Sequence, residues 1–154
     1  MEFTHLNEAG EARMVDVSAK DVTARVAVAT GRVLVSAEVI GLLRGAGVPK
    51  GDALGTARIA GILGAKQTPL LIPLCHPIAV TGVDVDLAVG DEAVKITATV
   101  KTRDRTGVEM EALTAVSVAA LAIVDMVKAI DPAAVITDIR VESKTGGKTG
   151  SWTR

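Results

Sequence analysis

The sequence predicts a single α+β domain with helices packed on one face of an antiparallel sheet, and three observations predict it. First, two runs of strict alternation flank Gly90-Asp91. Val83, Val85, Leu87 and Val89 share one face of the first run, with Asp84 and Asp86 on the other; Val94, Ile96, Ala98 and Val100 oppose Lys95, Thr97, Thr99 and Lys101 in the second. That is the pattern of a hairpin buried on one face. Second, the stretch 109–130 is apolar around most of a helical circumference, which is the signature of a helix lying in a core. Third, the order strand, helix, helix, loop, hairpin, helix, strand sorts into two layers.

The remaining elements follow in chain order. Residues 1–12 are polar and expected to be loosely held. Residues 13–17 are ambiguous, with a short edge strand as one reading. The stretch 22–35 alternates in part (Val26, Val28, Val33, Val35), so it reads as strand, with an interrupting turn at Thr30-Gly31-Arg32 as one reading. Ser36 caps a helix through Arg44, which Gly45 and Gly47 stop. After the turn Pro49-Lys50-Gly51-Asp52, Asp52 caps a second helix through Lys66, whose glycines permit close packing at a cost in helix stability. Pro69, Pro73 and Pro77 make the next stretch an irregular apolar loop, and such loops are buried for a reason. Asp131-Pro132 ends the apolar helix, a last strand spans 135–142, and a basic, glycine-rich tail closes the sequence. The stretches 1–12 and 144–154 read as flexible parts of one 1–154 domain.

Composition narrows the function classes. Hydrophobic residues make up 49% of 154 and aromatics only 1%, namely Phe3 and Trp152, so bases cannot be held by aromatic stacking. A net charge of -1 removes the basic excess that bulk nucleic-acid binding needs. A lone cysteine, Cys75, excludes an internal disulfide framework and fits a reducing cytoplasm. No basic start followed by an apolar run marks a signal peptide. The run 112–124 contains Thr114 and Ser117 and falls short of the about 20 residues a bilayer span needs, so no membrane partner is expected. An all-apolar helix asks for more cover than one sheet face supplies, so an oligomer is expected.

Charges on that helix are the first place to seek a site. At 100° per residue, Asp125 lies about 40° and Thr114 about 60° from Glu111, and Lys128 lies within reach of Asp125. Glu111, Thr114, Asp125 and Lys128 therefore form one polar stripe, where an unpaired buried ion would be costly. A structural i,i+3 pair below an acidic helix start explains the same residues. His76 in the proline-flanked loop suits an acid–base group, because such a loop presents a side chain rather than packing it, whereas Cys75 reads as an inert buried thiol. One cysteine and two histidines without ligand spacing do not make a zinc site. Gly146-Gly147-Lys148-Thr149 is no phosphate loop of the Walker kind, since Glu142 stands where its first glycine belongs. A basic tail closing over an anion fits better.

Several blocks together resemble a known family. Leu74-Cys75-His76-Pro77, Thr106-Gly107-Val108-Glu109-Met110-Glu111-Ala112-Leu113-Thr114 and Lys144-Thr145-Gly146-Gly147-Lys148-Thr149-Gly150 resemble the cyclic pyranopterin monophosphate synthase family, the C protein of molybdenum-cofactor biosynthesis. Ala12-Arg13-Met14-Val15-Asp16-Val17-Ser18, Lys50-Gly51-Asp52 and Ala57-Arg58-Ile59-Ala60-Gly61-Ile62 are similar to it as well, so the resemblance spans nearly the whole chain in order. It implies a ferredoxin-like α+β fold and a cytoplasmic homohexamer built as a trimer of dimers, with sites at subunit interfaces. It implies a lyase that converts a small-molecule substrate, the cyclised GTP derivative 3′,8-cyclo-7,8-dihydro-GTP, into cyclic pyranopterin monophosphate with release of pyrophosphate. No resident cofactor or protein-held metal is implied, and a divalent cation accompanying the triphosphate is compatible with it.

Residue by residue, the resemblance marks Asp125, Lys128 and Lys50 as catalytic. It marks Leu74, Cys75, His76, Met110, Glu111, Glu109, Arg25 and Lys144 as substrate-binding. Lys50 and Lys128 would transfer protons, Asp125 would orient Lys128, Arg25 and Lys144 would hold phosphates, and His76, Met110 and Glu111 would position the base. The chain departs from the family pattern at Ser151-Trp152, where an acidic–aromatic pair is more usual, and at Gly64, where alanine is common. The rival reading is a non-catalytic oligomeric module that binds a nucleotide or phosphate; it needs Lys50, Arg25 and Lys144 but not Asp125.

Overall fold

A computed structural model describes residues 4–154; Phe3 and the first part of the polar N-terminal stretch lie outside the described residues. The elements run β1 (Thr23–Leu34), α1 (Ala37–Arg44), α2 (Ala53–Leu71), β2 (Val80–Val89), β3 (Ala93–Asp104), α3 (Glu109–Val127), β4 (Val135–Thr145) and β5 (Trp152–Thr153). The strands form one sheet in the order β2-β3-β1-β4-β5, with every neighbouring pair antiparallel. Two strand–helix–strand units interleave so that β3 and β4 flank β1, which is the ferredoxin-like arrangement with one short strand added.

The alternation that predicts the hairpin is the alternation of burial. Val85 and Leu87 on β2 and Val94, Ile96, Ala98 and Val100 on β3 face the core, while Asp84, Asp86, Lys95 and Lys101 face out. The core joins them to Ala27, Ala29 and Val33 of β1 and to Ala112, Ala115, Val116, Ala119, Ala120 and Ile123 of α3. α3 and α2 lie side by side on one face of the sheet, α3 over β1, β3 and β4 and α2 over β2. Its apolar circumference is therefore satisfied largely within the chain: a Cβ on Gly61 of α2 would stand 2.9 Å from the Ala115 carbonyl, so the two helices meet backbone to backbone. Leu121 alone of the large apolar side chains of α3 is mostly exposed, at 60%; the greater apolar exposure is on α2, at Ile59, Leu63, Leu70 and Leu71.

Four local expectations are corrected. β1 runs unbroken through Gly31 rather than turning there. A Cβ at Gly31 would lie 2.6 Å from Val116 Cγ1 and 3.1 Å from Ile139 Cγ1, so the glycine admits α3 and β4, and the local irregularity is a shift of register against β4. α2 continues past Lys66 to Leu71 with Pro69 inside it, because the proline falls in the last turn and the Ile72 N–H still reaches the Thr68 carbonyl at 2.9 Å. Residues 13–17 form no strand, although Leu6 and Ala12 bridge and the Arg13 N–H donates to the His5 carbonyl at 2.8 Å. The apolar run, read as too short for a bilayer span, belongs to a 19-residue helix that is long and apolar enough by those measures; the sheet and α2 cover most of it.

The tail is a hairpin: β4 extends to Thr145, the chain reverses through Gly146 and Gly147, and β5 pairs Trp152 with Lys144. Gly31→Ala should destabilise the chain by about 1–3 kcal/mol, because the added methyl collides with two packed side chains. Urea unfolding midpoints of the two proteins measure this, and an unchanged midpoint would show that Val116 moves aside freely.

Candidate active site

The chemistry-bearing residues collect at the two ends of α3. At its C-terminal end, Asp125 accepts from Lys128 Nζ at 2.5 Å through Oδ1 and from Lys50 Nζ at 3.0 Å through Oδ2. Lys128 follows the last turn of α3, and Lys50 stands in a tight turn closed by the Gly51 N–H on the Val48 carbonyl, just before Asp52 caps α2. The two lysines hold the Asp125 carboxyl below its ordinary range, Lys128 most strongly. All three side chains are about half exposed. The expectation that the whole charged stripe is sunk in the core is thus corrected: Glu111 and Thr114 are buried, whereas Asp125 and Lys128 emerge where the helix runs out from under α2 and the sheet.

At the N-terminal end, two neighbouring cavities share Lys20, Thr106, Gly107 and Glu109 in their walls. The smaller, about 520 Å³, takes in Leu74, Cys75, His76, Met110 and Glu111. The larger, about 740 Å³, takes in Arg25, Arg105, Lys144 and Lys148. Each group is positioned by a recognisable device. Met110 and Glu111 ride on the first turn of α3, and Leu74 to His76 leave α2 through a turn closed by the Cys75 N–H on the Ile72 carbonyl. His76 Nε2 lies 2.5 Å from the Val15 carbonyl, which can only accept, so Nε2 carries the proton and a neutral ring keeps Nδ1 as an acceptor.

Arg25 is anchored by carbonyls: Nε donates to Asp104 O and Nη2 to Arg105 O, both at 3.1 Å. Lys144, beside Ala27 on the neighbouring strand, pairs with Glu109 at 2.8 Å. Gly146 and Gly147, at φ +92° and +76°, let the tail turn directly against Ala24 and Arg25, where a side chain would strike the backbone and the guanidinium. The tail thereby forms one wall of the larger cavity.

The two cavities differ in electrostatics. Lys20, Arg25, Arg105, Lys144 and Lys148 surround the larger, against Asp21 and Glu109, which suits a polyanion. The smaller holds a carboxyl that is only 3% exposed: burial first, and the neighbouring Glu109 charge second, push Glu111 up to about 7. Burial and Glu111 together raise the Cys75 thiol, in keeping with an unreactive sulfur. Among the described residues, no three His, Cys, Asp or Glu side chains are arranged to hold a metal ion.

The structure thus brings Leu74, Cys75, His76, Met110, Glu111, Glu109, Arg25 and Lys144 together, and separately Lys50, Asp125 and Lys128. Within one chain it keeps the two sets apart: Glu111 and Asp125 are fourteen residues distant, about 21 Å of helix axis. Sequence reasoning missed Lys20, Thr23, Arg105 and His5 as wall residues. The spacing of Lys20, Thr23 and Arg25 into the start of a strand was a usable signal, since Thr23 and Arg25 share a strand face.

Residues 14–147 match the MoaC family. The chain is 76% identical over 152 residues to the cyclic pyranopterin monophosphate synthase of Streptomyces coelicolor, covering 99% of this chain and 89% of that one. It is 73% identical over 155 residues to the enzyme of the same name from Nocardioides sp., at 99% and 95% coverage. To cyclic pyranopterin monophosphate synthase 2 of Mycobacterium tuberculosis it is 60% identical over 153 residues, at 99% and 92%.

A carboxyl whose folded value exceeds its unfolded one holds its proton more tightly in the folded chain. Its stabilising contribution is complete below about 4.5 and lost as pH rises through about 7. Glu111→Gln should therefore flatten a fall in stability on the order of 2–3 kcal/mol across that window. Unfolding at about pH 5 and about pH 8 tests it; an equal slope in both proteins would show that Glu111 ionises freely.

Proposed function

The chain belongs to the MoaC family, and on that premise we propose that it is a cyclic pyranopterin monophosphate synthase. It converts 3′,8-cyclo-7,8-dihydro-GTP into cyclic pyranopterin monophosphate and pyrophosphate, an early step of molybdenum-cofactor biosynthesis. The observation that carries the assignment of the site is the pair of joined cavities, one ringed by cations and the other holding an acid and a histidine. The triphosphate enters the larger, where Arg25 and Lys144 offset the charge that grows as pyrophosphate departs. The purine enters the smaller, between His76, Met110 and Glu111. Near neutral pH Glu111 is poised between its two protonation states, as proton exchange with a rearranging ring requires.

Lys50 and Lys128 are the proton-transfer groups of this reading, with Asp125 orienting both. They reach the substrate from a second copy of the chain. The two clusters sit at opposite ends of one helix, so a two-fold axis across its middle sets the cavities of one copy against the lysines of the other. The exposed Ile59, Leu63, Leu70, Leu71 and Leu121 supply apolar surface for such packing. A trimer of such dimers, acting in the cytoplasm, is the assembly proposed. The reading needs no resident cofactor, and any divalent cation arrives with the triphosphate. The non-catalytic module would leave the Asp125–lysine cluster without a task, and the chain's family membership does not favour it.

Incubation with the cyclised GTP derivative should release pyrophosphate and the cyclic pterin product; tight binding without release would overturn the enzyme reading. Lys128→Ala should lower turnover at least about 100-fold with folding intact. His76→Ala should also be strongly impaired. Unfolded, mixed and refolded together, the two inactive variants should recover activity approaching about a quarter of the wild-type sites, because some interfaces then pair an intact cavity with intact lysines. No recovery from co-assembled variants would place the whole site within one chain.

A further inference from the structure

The segment between β4 and β5 is built to bend. Gly146, Gly147 and Gly150 stand at φ +92°, +76° and +68°, the left-handed region where a side chain is strained. Glycines so closely spaced leave the arc little stiffness of its own. Yet the arc carries chemistry, because residues 144–149 line the larger cavity, Lys144 and Lys148 among them. Within it the Gly150 N–H donates to the Gly147 carbonyl at 3.2 Å. Its course against the cavity is set by what holds its two ends.

One end is β4, fixed in the sheet beside β1. The other is β5, a strand of 2 residues, too short to hold itself. Arg154 does the holding. Its backbone N–H donates to the Glu142 carbonyl at 2.9 Å, and its side-chain Nε donates to the Val141 carbonyl at 3.1 Å, so one residue grips consecutive carbonyls of β4. The same guanidinium lies 5.5 Å from the centre of the Trp152 ring, a cation–ring contact that ties β5 together. Trp152 stands opposite Lys144 in the ladder. Cross-strand partners share a face, so the indole flanks the stem of the lysine that reaches Glu109 at 2.8 Å. At 42% exposed, the indole is no core residue, and burial does not account for it.

We propose that Trp152 and Arg154 are positioning residues of this site: they clip β5 to β4, so that the glycine arc stands against the larger cavity before a ligand arrives. Neither touches the substrate. Their effect runs through Lys144 and Lys148, which would otherwise be gathered from a loose strand end at the moment of binding. Ordering a segment on binding costs affinity, and holding it in place beforehand removes that cost. The arc also backs a third cation, since a Cβ at Gly147 would strike the Arg25 guanidinium. The proposal rests on the assignment of the larger cavity to the triphosphate of the substrate.

The test is steady-state kinetics of the full chain on the cyclised GTP derivative, beside timed trypsin digestion followed by mass at Lys148, which the arc exposes to cleavage when it leaves its place. Trp152→Ala and Arg154→Ala should each raise KM about tenfold while kcat stays within about twofold, because a preordered contact serves ground state and transition state alike. Cleavage after Lys148 should quicken about tenfold, as the open population grows. Trp152→Phe, which keeps a ring beside the guanidinium, should match the parent in both. A strand that only supports the sheet edge would lower the melting temperature and leave KM unmoved in the alanine variants. That result overturns the proposal, as does parental cleavage at Lys148 in both of them. A Trp152→Phe protein as impaired as Trp152→Ala overturns the part given to the ring. If the parent protein does not turn over the substrate, the proposed reaction fails instead, and the digestion alone still decides whether β5 holds the arc.

Discussion

The site is organised by the burial of α3. Sheet on one flank and α2 on another leave its middle no room for a charge, and Ala112, Ala115, Val116, Ala119, Ala120 and Ile123 are fully shielded from solvent. An ion there would have neither water nor a partner. Chemistry is therefore expelled to the two ends, where the chain enters and leaves the helix. At the N-terminal end the sequence sets two carboxylates, Glu109 and Glu111, where the helix dipole favours negative charge. At the C-terminal end it sets Lys128, where a cation is favoured. The two charged clusters are thereby parted by the length of the helix.

The cavity end shows how neighbouring carboxylates acquire different roles. Glu109 is spoken for by Lys144, and Glu111, two residues on, faces the smaller cavity under near-complete burial. Their proximity reinforces the difference, because the Glu109 charge discourages a second negative charge beside it. One acid thus serves to hold a cationic strand end in place, and the other is left able to exchange a proton. The stiffness comes from backbone contacts: Arg25 and Arg105 both spend guanidinium N–H groups on carbonyls, which fixes their planes before any ligand arrives.

Much of this was legible in the sequence. The alternation from Val83 to Lys101 gave both strands and their faces, Ser36 and Asp52 marked helix starts, and the blocks around His76, Glu111 and Lys144 indicated residues that do converge. What was not legible depended on distant partners. Gly31 looks like a turn residue until Val116 and Ile139 are seen pressing on it. Pro69 looks like a helix stop until the Ile72 N–H is seen to bond beyond it. The polar stripe of α3 was correct in angle, yet angle around a helix says nothing of distance along it, so Glu111 and Asp125 were joined on paper and are parted in space. Lys20 and Thr23 lie in no block of the resemblance, and only their spacing with Arg25 into the start of β1 hinted at the cavity wall they form.

The Asp125 cluster is better understood as a positioning device than as a source of stability. Ion pairs this exposed contribute little, since water screens them and two long side chains must be held in one geometry. What the arrangement does achieve is spatial. One carboxylate, gripping Lys128 with one oxygen and Lys50 with the other, draws together ammonium groups from two separate loops. Each ammonium carries three donors and commits one to Asp125, so both keep N–H groups free to meet a ligand. The turn at Val48–Gly51 and the end of α3 bring the stems close, and Asp125 completes the convergence. In the isolated chain those free donors face solvent. Docking against the cavities of another copy would remove that water and strengthen each charge–ligand contact. The exposure that makes the cluster a weak source of stability is what leaves its free donors open to a ligand, as the proposed assembly requires.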